Sequence, residues 1–318
     1  MRDFFFLNSA ALLLGFVLDA LLGDPNWLYH PVQAIGKFIS FMEKRLRRTC
    51  KNLRRGAVIL TLSTVLLSAL CAFILLMLLS LAGRIPLLTG MALLDWLGLA
   101  ARSMAKEALG VKRALNDGVE AGRKQVARIV GRDTQSLTRE EIIKATIETT
   151  TENTTDGVIS PMFYALLGGP VLLWAFKAAS TLDSMVGYLD EKYRDIGWSS
   201  AKLDDALNFV PARLTACLMV LSAFIMRLDG KNAWHIVRRD HDKHLSPNCA
   251  WSEAAAAGSM HIMLGGTHEY FGKAVSKPTI GDDDRPAEPG DINRACGLMY
   301  VSSCIALVFN TILIAVMI

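Results

Sequence analysis

GAVILTLSTVLLSALCAFILLMLLSLAG, from Gly56 to Gly83, runs for 28 residues without a charged side chain. A helix needs about 20 residues to cross the hydrocarbon core of a bilayer. Core helices of soluble proteins rarely run so far without a charge, so this stretch reads as a membrane span. Ala295 to Ile318 is likewise uncharged. Phe4 to Leu22 is apolar too, with only Asp19 inside it and Arg2 before it. It lacks a small-residue cleavage pattern and reads as a retained first span. Of the 318 residues, 52% are hydrophobic, and their clustering into long runs points to a polytopic membrane protein.

The next residues outward set an orientation. Between the first two spans, Lys37, Lys44, Arg45, Arg47, Arg48, Lys51, Arg54 and Arg55 face only Asp24 and Glu43. Lys and Arg concentrate on the cytoplasmic side, so this short loop is expected there, with the N-terminus outside. A basic run can also bind nucleic acid, but its place directly before a long apolar helix favours the membrane reading. The net charge of +4 adds nothing to either case. The six cysteines show no C-x-x-C spacing, so neither a disulfide framework nor a zinc site is expected.

The expected fold is all-α: a polytopic membrane helical protein with helical cytoplasmic segments, as one domain over 1–318. Spans are expected at about 4–22, 56–83, 85–101, 206–228 and 297–318. The third is short and carries Asp95, so it could instead lie in the interface. Gly157 to Phe176 is uncharged, but Gly168-Gly169-Pro170 interrupts it. Glycine adds backbone freedom and proline removes a donor, so the segment is either a re-entrant hairpin of two half-helices or a kinked span. Asp282-Asp283-Asp284-Arg285-Pro286 is expected to be a mobile loop.

Four polar blocks interrupt the apolar runs. In the first, Asp24 and His30 flank a Pro-containing turn and could share a site, although a capping aspartate and a solvated histidine explain them as well. In the second, Glu148, Glu152 and Asp156 stand at i, i+4 and i+8, on one face of a helix, with Asn153 beside them. Stacked carboxylates repel unless a cation sits among them. Carboxylates with an amide oxygen suit Mg²⁺, which prefers hard oxygen ligands and often bridges to phosphates. The third block runs from Lys177 through Asp183 to Asp204, Asp205, Asn208 and Arg213, where Asp204, Asp205 and Asn208 offer another oxygen-rich face. Lys177 and Arg213 sit at segment ends, where snorkelling is the bland explanation. The fourth is Ser252 and Glu253, followed by an Ala/Gly run ending in Leu264-Gly265-Gly266, which permits close packing or close approach to a ligand. No Walker loop, G-x-G-x-x-G, G-x-S-x-G or H-E-x-x-H motif is present.

Taken in order, these blocks resemble the CobD/CbiB family of cobalamin biosynthesis. The resemblance is carried by Gly23-Asp24-Pro25 with His30-Pro31-Val32, Glu148 to Asn153 with Asp156-Gly157, Lys177 to Met185, Asn208 to Leu214, and Trp251-Ser252-Glu253 through Gly266. It implies an amide-forming ligase, adenosylcobinamide-phosphate synthase, joining adenosylcobyric acid to aminopropanol or its O-phosphate with ATP. The corrinoid would be a substrate, and no prosthetic group is expected. The resemblance also implies a multi-pass protein of the bacterial inner membrane with its active site facing the cytoplasm, near other late cobalamin-assembly enzymes. On that chemistry Glu148, Glu152, Asn153 and Asp156 would hold Mg²⁺, and Lys177 and Arg213 would neutralise phosphate oxygens. Asp183, Asp204 or Asp205 would accept a proton from the incoming ammonium or hold a second metal, and Asp24, His30, Asn208, Ser252 and Glu253 would bind substrate. An AmpE-like membrane sensor and a secondary transporter are the competing classes; a transporter usually shows more spans and inverted repeats.

Overall fold

A computed structural model of the protein describes residues 2–25, 27–188, 190–270 and 273–317. Twelve α-helices and one β-hairpin follow along these residues. They are α1 (Arg2–Leu22), α2 (Pro31–Thr49), α3 (Leu53–Leu81), α4 (Arg84–Gly98), α5 (Ala101–Ala114), α6 (Val119–Val126) and α7 (Arg139–Thr154). A π-helical turn (Thr155–Ile159) leads into α8 (Ser160–Val186), then α9 (Trp198–Ile225), α10 (Gly230–Asp240) and α11 (Cys249–Met260). Strands β1 (Leu264–Tyr270) and β2 (Lys273–Ile280) precede α12 (Pro289–Met317). Six helical stretches are long and apolar enough to cross a membrane: Phe5–Leu22, Leu53–Leu81, Arg84–Ala114, Arg139–Val186, Trp198–Ile225 and Pro289–Ile312. The all-α membrane class holds. The antiparallel hairpin of β1 and β2 was not anticipated.

The chain divides into two compact units. The first comprises Met1–Ala100, Ser160–Asn208 and Phe309–Ile318. Here α1 packs on α4 at a close crossing: a Cβ on Gly15 would come within 2.7 Å of the Asp95 Cβ. The α3 helix turns Leu60 and Leu76 inward and leaves Leu62, Leu66, Leu70 and Phe73 exposed, the pattern of a lipid-facing helix. Ile39 and Leu46 of α2 join Leu60, Leu182, Val186 and Ile196 in one core cluster. The basic segment at 37–55 is therefore no loop. Through Thr49 it forms the amphipathic α2, with apolar residues packed inward and Lys37, Lys44, Arg45 and Arg48 exposed, and Arg54 and Arg55 open α3.

The α8 helix breaks at Gly168 (φ −152°, ψ 26°) and Gly169 (φ 67°, ψ −165°). The second conformation is one that essentially only glycine adopts. Tyr164 and Phe176 stack with ring centroids 5.1 Å apart. Twelve residues of straight helix would separate them by roughly 18 Å. The chain therefore doubles back here, and residues 157–176 form a hairpin of two half-helices.

The second unit comprises Ala101–Ile159 and Phe209–Val308. In it α5, α6 and α7 pack together, and α11 lies against both α7 and α10. Thr138 starts α7 with a capping box to Glu141. The expected mobile loop at 282–286 is tied down. Arg239 bonds Asp282 at 2.8 Å, His261 bonds Asp284 at 3.0 Å, Arg285 bonds Asp291 at 2.7 Å, and the Gly281 N–H donates to Asp240 at 2.8 Å. Although burial acts to raise it, the hydrogen bonds from Arg239, Lys243 and Gly281 hold the Asp240 carboxyl well below the usual range.

Candidate active site

In the first unit, Asp24, Pro25, Leu28, His30, Leu97 and Lys177 line a cavity of about 440 Å³. His30 is the N-cap of α2, its Nδ1 accepting from the Val32 N–H at 3.2 Å. That bond assigns the neutral tautomer with the proton on Nε2, which lies 3.6 Å from Asp24 Oδ1. Burial lowers the pKa of His30, Asp24 opposes that, and Lys177 adds to it. The structure thus brings together two residues expected to bind substrate, Asp24 and His30, with the expected phosphate ligand Lys177.

A second polar group of the same unit joins the hairpin to α9. Ser160 donates to Asn208 Oδ1 at 2.6 Å, and Asn208 donates to Asp204 Oδ2 at 3.0 Å. Tyr164 donates to the Leu207 carbonyl at 2.8 Å. Both ends of the Asn208 amide are thus engaged within the fold. Asp205 points elsewhere, 3.5 Å from exposed Lys202. Asp183 folds over the end of α8, its Oδ1 occupying the space a Cβ on Gly187 would need.

In the second unit the acidic face of α7 separates into two sites. Glu148 forms a buried ion pair with Arg132 and accepts from the Gly265 N–H at 2.8 Å. Gly265 has φ +77°, and a Cβ there would lie 2.4 Å from the Pro278 carbonyl oxygen, so glycine is required. One turn further, Glu152 Oε1 accepts from the Cys249 thiol at 3.1 Å. Burial pushes the Cys249 thiol up, and the charges of Glu152, Glu253 and Asp156 add to this. The thiol thus ties α11 to the acidic face of α7. Ser252 instead bonds the Cys249 carbonyl within α11. Arg213 lies over the rings of Phe209 and Trp251, 3.6 and 4.6 Å from their centroids, and donates to Asn248 at 3.0 Å.

The expected quartet of Glu148, Glu152, Asn153 and Asp156 does not form a cation cage. Among the described residues, no group of three or more His, Cys, Asp and Glu side chains is placed to hold a metal by itself. Glu148 does not fit as a ligand, because a guanidinium and a backbone N–H already take its oxygens. The Asn153 amide donates to the Thr149 carbonyl at 2.9 Å. The π turn at Thr155–Ile159 also breaks the i, i+4, i+8 register before Asp156 is reached. Glu152, which accepts from a neutral thiol and not from a cation, is chemically suited to a Mg²⁺ held mainly by phosphates and water. Arg132 and Cys249 were missed in sequence.

The fold and these polar clusters define a multi-pass helical membrane protein with carboxylate-lined sites and a lysine-bearing cavity. The family described as CobD/Cbib protein matches residues 12–299, and the chain belongs to it. Among its relatives is the cobalamin biosynthesis protein CobD of Listeria monocytogenes serotype 4b, 48% identical over 299 residues, which cover 92% of this chain and 94% of that one. The CobD of Geobacter metallireducens is 44% identical over 310 residues, 97% of this chain and 98% of its own. The cobalamin biosynthesis protein CbiB of Salmonella typhi is 45% identical over 302 residues, 92% of this chain and 93% of its own. No solved structure matches the chain.

Proposed function

We propose that this protein acts in cobalamin biosynthesis as an adenosylcobinamide-phosphate synthase, with its active site facing the cytoplasm of a bacterial inner membrane. The family match over nearly the whole chain supports the pathway. The placing of Lys177 in one cavity with Asp24 and His30 is the observation that supports ATP-dependent ligation, since it sets a cation where phosphate oxygens could enter.

A carboxylate and an amine do not condense unaided at neutral pH. In the proposed reaction the adenosylcobyric acid carboxylate attacks the γ-phosphorus of ATP, and ADP leaves. The amine of aminopropanol, or of its O-phosphate, loses a proton and displaces phosphate from the acyl carbon. Phosphoryl transfer needs positioning and compensating charge more than covalent help. Mg²⁺ would offset phosphate charge, with Glu152 and Asp156 as the carboxylates offered to it. Lys177 places positive charge in the cavity with Asp24 and His30, suited to a phosphate oxygen. In the second unit Arg213, whose Nη1 bonds the Phe209 carbonyl and Asn248, would offer its remaining N–H groups to an anion. Of the acidic candidates, Asp204 is best oriented to take the amine proton, because Asn208 fixes its carboxylate.

Purified protein with adenosylcobyric acid, aminopropanol phosphate, ATP and Mg²⁺ should form an amide product. Glu152→Gln and Lys177→Ala should each lower turnover about tenfold or more. Near-normal activity in both variants would overturn the residue assignment, and substrate flux into vesicles without product would overturn the reaction.

A further inference from the structure

The first unit carries a groove that the proposed chemistry does not use. Ala34, Ile35 and Phe38 of α2 face Leu67, Cys71 and Leu75 of α3 across a cavity of about 330 Å³, which Trp174 closes from below. Its lining is apolar even where the side chains are not. The Thr64 hydroxyl bonds the Leu60 carbonyl at 2.8 Å, and the Ser68 hydroxyl bonds the Trp174 carbonyl at 3.0 Å. From Thr64 to Leu75 the groove follows α3 for roughly 16 Å. That is about the depth of one leaflet, half of a hydrocarbon core near 30 Å. The wall it follows is the lipid-facing helix.

The adjoining face of α2 has the opposite character. Gln33, Lys37, Ser40, Phe41 and Lys44 line a second hollow, where Lys37 and Phe41 stand three residues along the helix from Ala34 and Phe38 of the groove. Glu43 does not neutralise this face, since its carboxylate bonds Arg47 at 2.8 Å. Lys37 stands over the Tyr29 ring at 4.9 Å, which holds its ammonium on this side. One short helix thus offers two ammonium groups, a hydroxyl and an amide next to an acyl-deep apolar slot.

We infer that the α2–α3 groove is a binding site for an anionic phospholipid, one acyl chain lying against Ala34, Phe38 and Cys71 and the headgroup phosphate resting between Lys37 and Lys44. A chain in the slot covers surface that would otherwise be an empty crease beside the bilayer. The lysines select against zwitterionic headgroups, each basic residue near such a surface favouring anionic lipid. The site would anchor the amphipathic α2 at the membrane surface, next to the cavity that holds Asp24, His30 and Lys177.

The test is native mass spectrometry of the full chain in a neutral detergent, titrated with dioleoyl phosphatidylglycerol or dioleoyl phosphatidylcholine. One phosphatidylglycerol per chain should bind about tenfold more tightly than phosphatidylcholine. Lys37→Glu with Lys44→Glu should erase that preference and leave phosphatidylcholine binding unchanged. Ala34→Trp, which fills the slot, should weaken both lipids equally; if its helical circular dichroism is lost, Cys71→Phe fills the slot from the opposite wall. Equal retention of both lipids by the unaltered chain would overturn the inference. So would phosphatidylglycerol binding that survives both charge reversal and slot filling, or displacement of the lipid by an equal concentration of glycerol phosphate, which would make the occupant a free phosphate.

Discussion

Tyr164 lies flat against Phe176, with ring centroids 5.1 Å apart and planes 13° from parallel. The two rings sit on either side of Gly168-Gly169-Pro170, so their stacking exists only because the chain turns back between them. Tyr164 then reaches the Leu207 carbonyl and Ser160 reaches Asn208. The reversal therefore sets the position of the Asp204 carboxylate. Gly169→Ala should destabilise the protein by about 1–3 kcal/mol, since its backbone conformation is disfavoured for every residue with a Cβ. Thermal unfolding in detergent would measure this, and an unchanged midpoint would mean the turn tolerates a side chain.

The Arg132–Glu148 pair is the deepest ion pair described in the second unit, with both side chains 6% exposed. Glu148→Gln should cost about 3–5 kcal/mol, because it removes the negative charge that offsets a buried guanidinium. Replacing both residues together, Arg132→Met with Glu148→Leu, should recover most of that loss. Chemical denaturation of the three variants checks the pattern. A Glu148→Gln protein with normal stability but a changed Mg²⁺ requirement would return Glu148 to the metal site.

His261 connects two carboxylates, with Nε2 3.1 Å from Asp229 and Nδ1 3.0 Å from Asp284. The Asp284 hydrogen bond raises the pKa of His261 above 6.5; burial opposes this, and Asp229 reinforces it. A raised histidine stabilises fully below its unfolded value, and that stabilisation is lost as pH rises through the folded value. Hydrogen exchange in residues 281–288 should therefore be slow at pH 5.5 and quicken, beyond the intrinsic rate, toward pH 8.5. His261→Asn should show no such transition. A loop equally protected at both pH values would remove His261 as the clamp.

Cys249 donates to Glu152, so on the proposed chemistry it would position that carboxylate. Cys249→Val keeps the bulk and removes the S–H donor. Its turnover should fall about tenfold, the scale of one hydrogen bond to a charged group. Cys249→Ser, which restores a donor, should recover most of the rate. The change should appear in the Mg²⁺ concentration needed for half-maximal rate. A Val variant indistinguishable from the unaltered enzyme would leave Cys249 with packing alone.

The candidate residues could be picked from the linear chain because they stand in dense polar blocks between apolar runs. Asp24, His30 and Lys177 could be named that way, as could Glu152, Asp156 and Glu253. The reading went astray where one block served two purposes. Glu148 and Glu152 look equivalent on a helical wheel, yet one meets an arginine and the other a thiol. The acidic run at 282–284 looked too polar to be held, but its partners, Arg239 and His261, lie in other elements. The hairpin of β1 and β2 escaped notice because two strands leave only a weak alternation.

What the sequence by itself determined is residence in a membrane, an all-helical build and the break at Gly168-Gly169. Hydrophobic burial adds up along contiguous residues, and backbone freedom belongs to the residue itself. What only the tertiary structure decided is which polar groups meet. Arg132 finds Glu148 16 residues away and Cys249 finds Glu152 97 residues away, on α7 and α11. A hydrogen bond depends on direction and on a few tenths of an ångström. No local pattern carries that information, because it is created when the helices pack.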